Sequence, residues 1–215
     1  MDCVDKITIT NFEGVYEPAE DSWLMVTHLP EIKGSILEIG CGTGIISVHL
    51  ASKGARVTAV DLNPKAVEAT RFNSMNNGVK IEVLEGDMFA PVEGRRFGTI
   101  VCNPPYLPPS DARYEDSDLA LAVEGGPTGT EFISRFLSDA PEHLEKNGSI
   151  YLIISNRMKN LETGWKRQIF IRKNSFLKDW LSSDSSNLSD LVGVKSFKNF
   201  RQEAHGPEAQ NGTPV

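Results

Sequence analysis

Four short clusters carry side chains whose type and spacing suit chemistry. The first is Leu37-Glu38-Ile39-Gly40-Cys41-Gly42-Thr43-Gly44. Closely spaced glycines let a backbone turn tightly and approach a ligand without Cβ interference. Between a strand and a helix, such a turn forms the nucleotide crevice of open α/β sheets. The run here is G-x-G-x-G rather than the G-x-G-x-x-G of dinucleotide sites, with Glu38 two positions before it. That spacing argues against a pyrophosphate ligand, whereas Glu38 suits a cation such as an amino-acid ammonium. A merely structural tight turn is the alternative.

Asp61 stands 17 residues after Gly44, at the end of an apolar run. A carboxylate there can accept from both hydroxyls of a ribose, or cap the helix that Pro64 opens. Glu85-Gly86-Asp87-Met88 follows the next apolar run. Asp87 suits the exocyclic amine of an adenine and Met88 its ring; a solvated acidic turn is the alternative. The most informative cluster is Asn103-Pro104-Pro105-Tyr106. Its prolines lack backbone N–H groups and stiffen the turn. The Asn103 side-chain carbonyl and the Pro104 main-chain carbonyl can then both accept from one NH2 group. Such a pair would turn the lone pair of a planar, poorly nucleophilic nitrogen towards an electrophile, which is catalysis chiefly by positioning. Tyr106 can stack on a flat substrate group.

The elements that must hold these clusters alternate along the chain, as in an α/β protein with a mostly parallel sheet. Strands are predicted over Ser35–Ile39, Arg56–Val60, Lys80–Leu84, Gly98–Cys102 and Ser149–Ser155. Helices are predicted over Gly44–Ala51, from Pro64 to the Asn76-Asn77-Gly78 stop, and over Thr130–Glu145, where Pro141 should kink or divide the last. Asn147-Gly148 reads as a turn. An amphipathic helix near residue 20 would turn Trp23, Leu24, Val26 and Leu29 inward. Gln168–Ile171 and Val192–Phe197 are further strand candidates; 182–187 reads as a polar linker and 205–215 as a disordered tail.

A composition of 40% hydrophobic and 24% charged residues excludes disordered, collagenous and coiled-coil classes. No apolar stretch approaches the roughly 20 residues of a membrane span. The acidic N-terminus shows no secretory signal, and Cys3, Cys41 and Cys102 have no C-x-x-C spacing. A cytoplasmic location without disulfides or zinc is therefore expected, and the four histidines show no metal-ligand pattern. Net charge is −7, but residues 1–156 hold 12 Lys/Arg against 23 Asp/Glu, while 157–215 hold 10 against 6. So acidic a body is a poor match for nucleic acid, whose grip comes from basic side chains displacing counterions.

Together, Leu37–Gly44, Asp61, Asp87 and Asn103–Tyr106 resemble a class I S-adenosylmethionine-dependent methyltransferase of the amino-methylating kind. The segment Val15–Ser22 and the run Gly125-Gly126-Pro127-Thr128-Gly129 narrow the likeness to HemK-type enzymes, which modify the glutamine of the GGQ motif in peptide-chain release factors. With 34 residues before the first strand, there is no room for the helical domain of bacterial members. The chain is thus more similar to the short archaeal and eukaryotic branch, whose eukaryotic members pair with a Trm112-like zinc-containing activator. The resemblance implies a Rossmann-like sheet with helices on both faces. It implies S-adenosylmethionine contacts from Ser22, Glu38, Gly40, Gly42 and Gly44, ribose on Asp61, and adenine near Asp87 and Met88. Asn103 would face cofactor and substrate, aided by Pro104, Pro105 and Tyr106, with the segment from Tyr16 as a lid.

The likeness covers roughly residues 12–156, so 1–156 is expected to be the methyltransferase core and 157–215 a divergent region. Family members close the sheet with an antiparallel hairpin that the residues after 156 do not visibly match. A divergent ending, an unrelated extension and a frame or splice change all fit; without the hairpin, a sheet edge would be exposed. Besides glutamine methylation, adenine-N6 methylation of DNA or RNA and a non-catalytic cofactor-binding subunit remain open readings.

Overall fold

The computed structural model describes residues 7–109, 117–155, 167–168 and 192–198. The polar stretch at 182–187 and the tail at 205–215 lie outside the described residues. Ser35–Ile39 (β1), Arg56–Asp61 (β2), Ile81–Glu85 (β3), Phe97–Cys102 (β4) and Leu144–Ser155 (β5) pair in parallel in the order β3-β2-β1-β4-β5. Arg167–Gln168 (β6) and Val192–Lys198 (β7) extend this to seven strands, with β7 antiparallel between β5 and β6. β7 matches the candidate Val192–Phe197 to within one residue, whereas β6 shares only Gln168 with the candidate Gln168–Ile171, of which residues 169–171 lie outside the described residues. β7 pairs with β5 from Ser149 to Ser155, so that edge is covered.

Alternate side chains of a strand point to opposite faces, and helices cover both. Glu20–His28 (α1), Ile45–Ser52 (α2) and Pro64–Asn76 (α3) lie on one side, where Met25, Val26, Ile46 and Leu50 pack on Ile36, Val57, Val101 and Ile153. On the other, Ile133, Phe136 and Leu137 of Glu131–Asp139 (α5) pack on Leu37, Ile39, Ile100, Ile150 and Leu152. A sheet buried on both faces reads as near-continuous apolar runs, which is why the strands were visible. Ser117–Val123 (α4) precedes α5.

Several boundaries differ from expectation. Pro141 ends the helix at Asp139 and converts the chain to a 3-10 turn, Ala140–His143, which leads straight into β5. Asn147 (φ 68°) and Gly148 form an irregularity inside β5 rather than a turn before it, marked by the register shift between Phe97 and Thr99. In α1 the inward face is Asp21, Ser22, Met25 and Val26, a helical i, i+1, i+4, i+5 set. That rotation leaves Trp23 41% exposed and buries Met25 instead.

The N-terminal segment joins no strand, yet its backbone is paired. Thr8 N donates to Asn77 Oδ1 at 2.8 Å and Asn77 Nδ2 donates to Thr8 O at 2.7 Å. Thr10 N donates to Asn73 Oδ1 at 2.8 Å and Asn73 Nδ2 donates to Thr10 O at 3.0 Å. Residues four apart share a helix face, so the two amides form a two-rung imitation of a strand edge. Phe12 packs edge-on against Phe72 of α3, and Val15 packs on Ala66 and Ala69. The chain thereby reaches Tyr16 at a fixed place over the glycine loop.

Candidate active site

The order β2-β1-β4 puts the C-terminal ends of β1 and β4 side by side, where connections leave to opposite faces. Open α/β sheets bind ligands in the crevice outside such a switch point. A cleft of about 460 Å³ lies there. Ser22, Glu38, Gly40, Gly42, Asp61, Asp87, Met88, Asn103, Pro104, Pro105 and Tyr106 all line it. Sequence clusters up to 84 positions apart, from Ser22 to Tyr106, thus meet in one cavity.

The glycine loop is held from behind by α3. Thr70 Oγ1 donates to Gly42 O at 3.0 Å, and Asn73 Nδ2 donates to Thr43 O at 2.9 Å. Gly40 and Gly42 have positive φ (75° and 54°), and a Cβ on either would have no neighbour nearer than 4.0 Å. Their torsions need glycine, and their faces stay open to a ligand. Gly44 departs from expectation: it is absent from the cleft lining, and its φ of 81° turns the chain into α2. A Cβ there would lie 2.9 Å from Thr70, so this glycine serves helix packing.

Glu38 points to the α2 face, 1% exposed, and accepts from Ser47 Oγ. Burial pushes its carboxyl up to about 8, opposed by the Ser47 hydrogen bond and reinforced by the nearby Asp61 charge. At neutral pH it is mostly protonated unless a cation enters the cleft. Burial also raises Asp61, while N–H donors from Gly42, Asn63 and Leu62 pull it down. Asp61 Oδ2 accepts from Gly42 N and Oδ1 from Asn63 N, both at 2.9 Å. The cap of α3 is Asn63, which accepts from Lys65 N, so Asp61 is not the cap. Leu62, 55% exposed, presents an apolar side chain to the same cleft. Met88 is buried with φ 46°, and Asp87 Oδ2 is engaged by Arg135 of α5 at 2.5 Å.

Asn103 follows β4 with its Oδ1 buried and without a hydrogen-bond partner among the described residues. A buried acceptor left unmade costs about 1–3 kcal/mol, so such an atom at a cleft wall marks a place for a donor. Tyr106 packs between the cores of both sheet faces. Sequence reading missed Thr70, Asn73, Leu62 and Arg135. A polar helix face and an exposed leucine carry no local signal, although Asn73 and Asn77 four apart were a faint one.

The family model "Methyltransferase small domain" matches residues 6–117. A Methanocaldococcus jannaschii protein described as "Putative protein N5-glutamine methyltransferase" is 43% identical over 162 residues, 74% of this chain and 82% of that protein. A release factor glutamine methyltransferase from Geobacter sulfurreducens is 33% identical, covering 74% of this chain and 57% of its own length. A ribosomal RNA small subunit methyltransferase C from Aeromonas hydrophila is 31% identical over 82% of this chain and 49% of its own. The chain therefore spans only about half the length of these bacterial relatives. Among solved structures, a T. thermophilus 16S rRNA methyltransferase in complex with AdoMet and guanosine superposes with a TM-score of 0.61 at 19% identity, covering 86% of this chain and 44% of that one. A Pyrococcus furiosus methyltransferase gives 0.58 at 18%, covering 91% and 90%. These two likenesses concern the fold.

Proposed function

The chain belongs to the methyltransferase small domain family and is an S-adenosylmethionine-dependent methyltransferase; from that premise we propose that it methylates the side-chain amide nitrogen of a protein glutamine. The observation that carries the reading is the buried, unpartnered Asn103 Oδ1. With Pro104 O it offers two acceptors to the two N–H bonds of a primary amide. Holding both N–H bonds fixes the amide plane, so the nitrogen lone pair meets the electrophile without a strong base. The nitrogen turns acidic as its new bond forms and sheds a proton to a neighbouring acceptor or water. Tyr106 covers the flat amide.

The cleft fits S-adenosylmethionine on its own residues: a buried acid for an ammonium at Glu38, a carboxylate for ribose at Asp61, and apolar Leu62 and Met88 for an adenine. When bound, this cofactor supplies an electrophilic methyl group on a sulfonium. Ser22, Gly40 and Gly42 shape the methionine end, and Asp87 serves the adenine amine once its tie to Arg135 loosens. The GGQ glutamine of a release factor is the proposed target, after the Geobacter relative. A Trm112-like activator is the proposed partner; the bared apolar side chains Trp23, Phe72 and Met75 (41%, 45% and 79% exposed) give such a subunit something to cover. Among the described residues no helix is long and apolar enough to cross a membrane.

A second reading, methylation of an exocyclic amine of a nucleic-acid base, is favoured by the rRNA methyltransferase relative. It meets the same two acceptors but an acidic body. The deciding experiment offers labelled cofactor to a release factor and to RNA and DNA oligonucleotides, with and without a Trm112-like protein. Label on the glutamine is expected. Label confined to nucleic acid overturns the proposal, as does a folded Asn103→Ala variant that keeps full methyl transfer.

A further inference from the structure

The run Gly125-Gly126-Pro127-Thr128-Gly129 lies against the backbone of the catalytic turn. Leu107 N donates to Val123 O and Gly125 N donates to Leu107 O, each at 2.9 Å, and Leu107 and Glu124 form a parallel bridge. A Cβ at Gly125 would lie 2.7 Å from Pro105 O and 2.7 Å from Gly129 O. One at Gly129, where φ is +76°, would lie 2.7 Å from Tyr106 O. These neighbours are main-chain atoms and cannot swing aside as a side-chain tip can. Gly125 has no positive φ, so what that position requires is the absence of a Cβ rather than torsional freedom.

The loop is itself fixed by the first turn of α5. Glu131 accepts from Thr128 N at 3.0 Å and from Thr130 N at 3.1 Å, and Phe132 N donates to Gly125 O at 3.1 Å. Glu131 and Phe132 begin α5, whose Ile133 and Phe136 are fully buried. We infer that the 125–129 loop is a template that carries the rigidity of α5 to Asn103-Pro104-Pro105-Tyr106, with Gly125 and Gly129 as positioning residues for the two acceptors. The inference rests on the reading that Asn103 and Pro104 receive the acceptor nitrogen.

Restoring ordinary contact at 3.4 Å after Gly125→Ala requires Pro105 O to move by about 0.7 Å. Misplacement on the order of 1 Å costs about a hundredfold in rate. We expect Gly125→Ala to lower kcat about 10- to 100-fold while the cofactor Kd by calorimetry stays within about twofold. Gly98→Ala is the control, since its Cβ would meet nothing nearer than 3.5 Å. The readout that needs no acceptor is the ¹⁵N–¹H signal pair of the Asn103 side-chain amide. It should move in Gly125→Ala and stay in Gly98→Ala.

Unmoved Asn103 signals with kcat within twofold of wild type would overturn the template. So would activity, cofactor affinity and melting temperature that fall together. If Gly125→Ala does not fold, Glu131→Ala removes the carboxylate ties to Thr128 and Thr130 without adding bulk and should shift the same signals with a several-fold loss of kcat; unmoved signals there refute the template. Kinetics are read on whichever acceptor wild type methylates. Activity on RNA alone would therefore defeat the proposed function and leave the Asn103 signals to decide this inference.

Discussion

Glu38→Gln isolates what it costs to keep an acid inside this sheet. The carboxyl titrates near 4.5 when solvated and at about 8 in the fold. Below pH 4.5 both states are protonated and no penalty exists. Between the two values only the unfolded chain ionises, so the unfolded state binds fewer protons and stability falls as pH rises. At about 1.36 kcal/mol per unit, the gap is worth about 5 kcal/mol once pH exceeds 8. Glutamine accepts the Ser47 hydroxyl without titrating. Asp61 titrates in both proteins and largely cancels in the difference. Urea unfolding should therefore give similar stabilities at pH 5 and a variant more stable than wild type by several kcal/mol at pH 8.5. Ligand binding should show the same group from the other side. About nine-tenths of Glu38 is protonated at pH 7, so a cofactor ammonium beside it should expel up to about 0.9 proton. Calorimetry in buffers of different ionisation enthalpy would read that release in wild type and its loss in Glu38→Gln. Parallel stability profiles for the two proteins, or equal proton release, would refute the assignment.

Asn73→Ala removes three hydrogen bonds, two to Thr10 and one to Thr43 O. At about 1 kcal/mol each, denaturant unfolding should show a loss of about 3 kcal/mol, with a raised cofactor Kd because the glycine loop loses its rear support. Gly44→Ala combines a φ of 81° with a 2.9 Å clash on Thr70; a melting-temperature drop should dominate, with cofactor affinity per folded molecule little changed. Had Gly44 held the cofactor, calorimetry would show the reverse.

The sequence made the sheet legible because strands buried on both faces read as apolar runs, and it made the site legible because Glu38, Asp61 and Asn103 sit at strand ends. Gly44 could not be told apart from Gly40 and Gly42, since a glycine facing a ligand and one packed against a neighbouring helix look alike in a G-x-G-x-G run. Trp23 was placed inward because hydrophobicity alone does not fix the rotation of a short helix. The tie from Arg135 to Asp87 spans 48 positions and left no local pattern. Gln168–Ile171 and Val192–Phe197 read only as candidates, since a short strand's partner is distant: β7 pairs with β5, and β6 pairs with β7.

The two asparagines that grip Thr8 and Thr10 also impose an order of assembly. A strand can pair as soon as a neighbouring strand arrives, but this backbone must wait until α3 has wound far enough to bring residues 73 and 77 onto one face. Unravelling should run the other way, with residues 7–12 detaching while the sheet stays whole. In amide hydrogen exchange, Thr8 and Thr10 should report a shared local opening well below the global unfolding energy. Substituting either asparagine should speed exchange at its own rung first, as a zip opens at the tooth that is missing.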